Sequence, residues 1–423
     1  MKRGILISVL TAATVLGPRA APSKPRLVRA DNAAAWISIG PDGGCLRDLA
    51  VNPGNPNDLV AVFDSTPSQA YRTTNGGAAW KRIGLFNDTI LSIAFGPRGS
   101  GRLYALGWSS VYRSGNGGSS WTRLTSPPGF SLLEKLASHP SNPDGLFILG
   151  QIGSQTTALA LARTTDGGRT WKAKRISPEG NAAESYCLCV HPRNASIIYV
   201  SGYYRATSAS KFVISRSTNG GESWQDISTG ISAKVFDLAV DPNNPSQVYA
   251  ATEWGVLRSS DAGLTWRSGS TYCYAYGLAI DPANTSVIYA GYQKRIYKST
   301  DGGVSWTAIE GGLAGNCRRM VVTGNAVFFG SRAGVYRSSD AGATWSAAQT
   351  GIRAGLVPSF YVAPSSPNVL YANVSDRGFC QSDRFGRTWS LLPYFYSCDD
   401  RGRIAAVDPG SPRTLYMIAP GQG

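Results

Sequence analysis

The stretch SSDAGLTW at residues 259–266 decides the fold, because it is one of eight related segments. The others stand at 73–80 (TTNGGAAW), 114–121 (SGNGGSSW), 164–171 (TTDGGRTW), 217–224 (STNGGESW), 299–306 (STDGGVSW), 338–345 (SSDAGATW) and 382–389 (SDRFGRTW). The shared pattern is Ser/Thr-x-Asp/Asn-x-Gly-x-x-Trp, and the last copy departs from it with Arg384 in the acid position. Successive tryptophans lie 39 to 53 residues apart, the length of one four-stranded blade. The chemistry suits a hairpin turn. An Asp or Asn oxygen accepts turn amides, glycine permits positive φ, and the tryptophan buries a large ring. Asn75 and Trp80, Asn116 and Trp121, Asp166 and Trp171, and Asn219 and Trp224 are therefore read as structural, as are Asp261 and Trp266, Asp301 and Trp306, Asp340 and Trp345, and Trp389.

Ahead of the boxes a second signal recurs. LAVNPGNPNDLVAVF (49–63), LAVDPNNPSQVYAAT (238–252) and LAIDPANTSVIYAGY (278–292) each read as strand, turn, strand, with Asp/Asn-Pro opening the turn and β-branched and aromatic residues filling the strands. A third strand such as GVLRSS (255–260) leads into the box, and the fourth begins at its tryptophan. Eight such units are complete by Leu392. IAAVDPGSPRTLYMI (404–418) supplies two further strands, and Trp36-Ile37-Ser38-Ile39 reads as a leading outer strand that pairs with them. The expectation is an all-β chain: residues 31–423 as a single β-propeller of eight or nine four-stranded blades, with the boxes between strands three and four.

Residues 1–30 read as a signal peptide and linker. Met1-Lys2-Arg3 is basic, and the apolar run Gly4 to Leu16 is too short to span a bilayer but long enough for a signal core. This predicts a secreted or periplasmic protein that does not span the membrane. Loss of the six cations before Asp31 lowers the net charge from +15 to +9, still favourable to acidic partners, yet no basic run of the nucleic-acid type is present. The only histidines, His139 and His191, each precede a proline at a strand end, and no metal or cofactor site is legible. Seven cysteines in an exported chain suggest disulfides. Cys45, Cys273, Cys317 and Cys398 fall before first strands, which predicts bridges Cys273–Cys317 and Cys45–Cys398. Cys380 stands at a core position.

The repeats resemble the Asp-box (BNR-like) propeller superfamily over nearly the whole mature chain. That superfamily includes sialidases, xyloglucanases, sortilin-type receptors and photosystem II assembly factors. A sialidase would imply an Arg-Ile-Pro motif, which is absent. WISIGPDGGCLRDLAVNPGNPNDLVAVFD (36–64) resembles the opening of the xyloglucanases, and that resemblance implies a catalytic role for Asp64. Those enzymes place the partner carboxylate in a second propeller, whereas this chain has length for one. Here Glu253 or Asp399 would have to supply it, within about 5–10 Å of Asp64.

Loops between strands two and three, and between blades, share the face opposite the boxes and rim the central channel. The candidate ligand-binding residues there are Trp108, Tyr203, Tyr204, Trp254, Tyr274, Tyr292, Arg295, Arg319, Arg332 and Arg377. Aromatic rings stack on sugars or peptide side chains, and arginine grips carboxylates through paired hydrogen bonds. The reading is a monomeric, non-catalytic propeller, without cofactor, that binds a protein segment or polysaccharide, including acidic ones. The alternative is a xyloglucanase-like glycoside hydrolase.

Overall fold

A computed structural model describes residues 45–418 apart from short segments, chiefly 178–181, 206–209, 270–274, 310–312, 314–315, 349–358, 384–388, 393–402 and 408–414. The described secondary structure is all β. Seven antiparallel four-stranded sheets form the blades: blade 1 (46–86), blade 2 (90–124), blade 3 (130–175), blade 4 (182–226), blade 5 (235–268), blade 6 (277–309) and blade 7 (317–347). Each is built from four consecutive strands, innermost first. Second strands such as Leu103–Gly107, Val248–Thr252 and Ala326–Ser331 are buried throughout. They lie between strands one and three with a neighbouring blade on each face, which is why they read as unbroken apolar runs. Fourth strands such as Gln225–Asp226 and Arg267–Ser268 are exposed.

Blades pack face to face, and among the described residues an apolar cluster spans every junction. Val60, Val62 and Ala70 of blade 1 meet Ile93 and Leu103 of blade 2, and equivalent clusters follow round to Tyr289 and Ile296 of blade 6 against Val327 and Phe329 of blade 7. The last cluster closes the circle: Leu49, Leu59, Tyr71 and Trp80 of blade 1 pack on Ala326, Phe328 and Val335 of blade 7, with Ala348 just beyond. The expectation of eight or nine blades is thereby corrected to seven. Counting boxes counts sheets, whereas closure depends on which sheets meet. The eighth box follows the closure and belongs to a further four-stranded sheet (359–391). That sheet's first strand, Ser359–Val362, packs on Arg403–Val407 of a two-stranded sheet. Trp36–Ile39 lies outside the described residues.

The boxes of blades 1 to 7 form hydrogen-bonded turns. In blade 1, Thr73 Oγ1 donates to Asn75 Oδ1 at 2.7 Å and accepts Gly77 N at 3.0 Å, while Asn75 Oδ1 accepts Ala79 N at 3.0 Å. Asp261, Asp301 and Asp340 accept the same amides together with a hydroxyl from Thr265, Ser305 and Thr344, and these bonds hold their carboxyls down at about 2. The residue after the acid or amide is left-handed, at φ 65° for Gly76 and 69° for Gly302, but also at 60° for Ala262 and 55° for Ala341.

Box tryptophans also reach across junctions. The indole N–H of Trp121 donates to Ile83 O, of Trp171 to Thr125 O and of Trp266 to Ile227 O, each on the outer edge of the preceding blade. Trp80 makes the same bond to Ala348 O at 2.8 Å, across the closing seam. In the other direction, Arg72, Arg163 and Arg258 donate to box carbonyls of the following blade, and Tyr249 and Tyr289 do likewise. Cys317 is a buried free thiol packed into the space beside Gly291, so the Cys273–Cys317 bridge is not formed. Cys273 and Cys398 lie outside the described residues. Cys380 is fully buried, as its position suggested.

Candidate functional site

First strands line a central channel of about 610 Å³. In most blades this strand carries a bulge near its start, between Leu46 and Asp48, Ile90 and Ser92, Ser185 and Cys187, Val235 and Asp237, and Cys317 and Arg319. A bulge re-aims the extra side chain and its successor. Here it brings Arg47, Tyr186, Phe236 and Arg318, each followed by a polar residue, to the channel wall.

Those polar residues tie the blades together. Asp48 accepts Ser92 Oγ at 2.7 Å and Ile93 N at 3.0 Å from blade 2. Asp237 accepts Cys187 Sγ at 3.3 Å from blade 4 and Leu278 N at 3.0 Å from blade 6. Arg319 of blade 7 reaches both acids, 3.9 Å from Asp48 and 3.7 Å from Asp237, while its side chain stays 45% exposed to channel solvent. Burial between the walls opposes its charge, but Asp237 and Asp48 outweigh that and raise its pKa. Glu134 links blade 3 to Ser185 of blade 4; burial pushes its carboxyl up, and the Ser185 bonds oppose the rise. Burial, then Asp237, push the Cys189 thiol up to about 12 and the Cys187 thiol upward as well. Both are therefore neutral and poor nucleophiles.

On the loop face beside this channel an aromatic strip crosses blades 4 to 6. Lys234 Nζ sits 4.2 Å from the Tyr186 ring and 5.6 Å from Phe236. Phe236 meets Tyr276 edge-on at 4.7 Å, and Tyr276 lies 5.1 Å from Tyr292. Trp254, 64% exposed, completes a pocket of about 300 Å³ with Thr252, Glu253, Ala275, Tyr276 and Tyr292. The arrangement sets aromatic faces beside the acidic residue Glu253.

The candidate residues divide as follows. Trp254 and Tyr292 come together in the pocket, and Arg295 is exposed opposite Tyr292 in the strand pairing. Trp108, 54% exposed, stands apart on blade 2. Tyr203 packs on Phe212 of its own blade, at 5.2 Å. Arg319 lies in the channel rather than on the rim. Tyr274, Arg332, Arg377, Asp399 and the Tyr204 side chain lie outside the described residues. Asp64 sits at the end of Asn55–Phe63, 45% exposed, with its carboxylate on Arg47 at 3.0 Å. Glu253 is on blade 5, where it accepts Lys234 N at 2.9 Å. Arg47, Lys234, Phe236 and Asp48 escaped the sequence reading. For Arg47, Asp48 and Phe236 the signal was the variable pair just before each repeated Leu, as in RDLAVNP and FDLAVDP, where chemistry changes while the rest repeats.

The family described as sortilin, neurotensin receptor 3 (Sortilin-Vps10) matches residues 68–185, from the third strand of blade 1 into blade 4. The chain is an Asp-box β-propeller. No curated protein matches the propeller's sequence. Among solved structures it is similar to YCF48 from Cyanidioschyzon merolae, with 16% identity, 70% of this chain and 95% of that one covered, and a TM-score of 0.51. It is similar also to Chaetomium thermophilum Sqt1 bound to the N-terminus of ribosomal protein L10, at 13% identity, 80% and 96% coverage and a TM-score of 0.52. The Niastella koreensis GH74 enzyme aligns at 18% identity and a TM-score of 0.42. The match covers 86% of this propeller chain but spans only 65% of that enzyme's length. At these identities the likeness is one of fold. Among the described residues no helix is long and apolar enough to cross a membrane.

Proposed function

We propose that this is an exported, non-catalytic propeller whose loop face docks an extended protein segment beside the channel mouth. The observation that carries the reading is Trp254, exposed over a strip of packed aromatic rings. The carboxylates nearby are already committed: Asp64 to Arg47, Asp48 and Asp237 to backbone amides of adjacent blades. A glycosidase needs one carboxyl group able to donate a proton and another free to attack or activate water. An exposed carboxylate paired with arginine is poorly suited to donate the proton. The fold is compatible with segment binding, since Sqt1, a propeller of similar size, holds the N-terminus of another protein. Export rests on the basic and apolar run of residues 1–16.

The test is selection of a displayed peptide library on the purified protein, with Trp254→Ala as counter-target. The reading expects peptides that bind the parent at micromolar strength and the variant at least tenfold more weakly. Equal binding to both would move the site elsewhere. Reducing-end release from xyloglucan that vanishes in Asp64→Asn would replace the reading with hydrolysis, and binding of the same glucan without cleavage would change the ligand class.

A further inference from the structure

We propose that the pocket between blades 5 and 6 is an aromatic cage for a cationic group, an organic ammonium or the side chain of a lysine or arginine. This rests on the loop face being the docking surface and names what the docked segment must present there.

Three observations converge. Trp254, Tyr276 and Tyr292 line one pocket of about 300 Å³, and Glu253 lines it with them. Aromatic faces carry negative quadrupole potential, so several rings around one carboxylate attract a cation and give an anion nothing to bind. Secondly, two of the three rings are held in place. Phe236 supports Tyr276 edge-on, Tyr276 contacts Tyr292, and the Tyr292 hydroxyl accepts Gln293 Nε2 at 3.1 Å. A preformed cage loses little freedom on binding. Thirdly, the same strip already holds an ammonium of the protein's own: Lys234 Nζ lies 4.2 Å from the Tyr186 ring and 5.6 Å from Phe236. The arrangement that Lys234 satisfies in one half of the strip is offered by the other half to an incoming group.

The net charge of +15, or +9 after loss of residues 1–30, opposes a cationic ligand at long range. At physiological ionic strength that field is screened beyond about 8 Å, so the pocket's own atoms decide. Glu253 also stays in place without a ligand, because it accepts the Lys234 amide at 2.9 Å.

The test uses choline and its neutral isostere 3,3-dimethyl-1-butanol, then capped Gly-Lys-Gly, Gly-Arg-Gly and Gly-norleucine-Gly peptides. The readout is the indole N–H resonance of Trp254, assigned by its loss in Trp254→Phe. Choline is expected to bind at least about tenfold more tightly than the isostere. Glu253→Gln, which keeps an acceptor for the Lys234 amide and removes only charge, should weaken choline several-fold, and Trp254→Ala should weaken it further. Equal binding of choline and isostere, or no shift with either, overturns the cage. If choline binds and the lysyl and arginyl peptides do not, the cation is a small free ammonium, and the cage stands while segment docking falls. If all three peptides bind alike, segment docking stands and the cage falls.

Discussion

Replacing Trp80 tests how the ring is closed. Its side chain is 5% exposed, packs in the cluster joining blades 1 and 7, and donates to Ala348 O at 2.8 Å. Trp306 makes a matched control: it is 7% exposed in the cluster joining blades 5 and 6, but its indole nitrogen has no acceptor among the described residues. Tryptophan to phenylalanine removes the N–H and part of the ring at both places, so the packing loss largely cancels between them. At Trp80 the change also deletes a hydrogen bond worth about 1 kcal/mol and leaves a carbonyl unpaired; at Trp306 it removes a buried donor whose lack of a partner costs about 1–3 kcal/mol. Trp80→Phe should therefore be more destabilising than Trp306→Phe by about 2–4 kcal/mol. Trp80→Ala, which empties the seam, should lose about 3–5 kcal/mol. Urea unfolding followed by circular dichroism gives the difference. Hydrogen exchange should show protection falling first in Leu46–Asn52 and Ala326–Ser331, the strands that meet at the seam. Equal losses for the two phenylalanine variants would refute the argument that the indole bond clasps the ring.

Ala262→Gly and Ala341→Gly should each stabilise by about 0.5–1 kcal/mol. A left-handed alanine costs about 1–2 kcal/mol, and glycine's freedom in the unfolded chain takes back about half of that; thermal melts check it. The box carboxyls of Asp261, Asp301 and Asp340 sit at about 2, below an unfolded value near 4, so the stability they contribute is present above pH 4 and is lost as pH falls toward 2. The triple Asp→Asn variant should flatten that acid limb, because Asn75 and Asn116 already serve in the same turns without titrating. Arg319→Leu leaves Asp48 and Asp237 facing across the channel and should cost about 1–2 kcal/mol after allowance for solvent, with Arg319→Lys recovering part of it. A loss in Arg319→Leu no greater than in Arg98→Leu, an exposed cation outside the channel, would remove Arg319 from the ring's support.

The turns and strands were legible because their causes are local. Each of the first seven boxes carries its hydroxyl, carboxylate or amide, glycine and tryptophan within eight residues, and second strands announce their double burial by an apolar run. The blade count was not legible. Whether Trp80 meets blade 7 or a later sheet is decided by the angle each wedge subtends, and the eighth box, although Arg384 replaces its acid, keeps the same spacing in sequence. The site was legible in part. Trp254 stands in the loop between strands two and three and Tyr292 at the end of Ile288–Tyr292, where the repeat pattern lapses; Phe236 lies inside Val235–Val240 and reaches the channel wall by a bulge, and Tyr276 just precedes Gly277–Ile280. Asp64 shows the opposite failure: resemblance singled it out, and the structure pairs it with Arg47.

Among the described residues no strand is shared between sheets, and the seam between blades 1 and 7 is made from the same kind of side-chain packing as the other junctions, with an indole bond like those of Trp121, Trp171 and Trp266. Every inter-blade loop is then an equivalent place to cut the chain. Joining residue 348 to residue 45 across the seam, without the sheets that follow blade 7, and reopening at 87–89 or 125–129 should give permuted rings of unchanged architecture. The same equivalence makes a blade a modular unit in descent, since copying about forty residues adds a wedge with both its faces already complementary to their new neighbours.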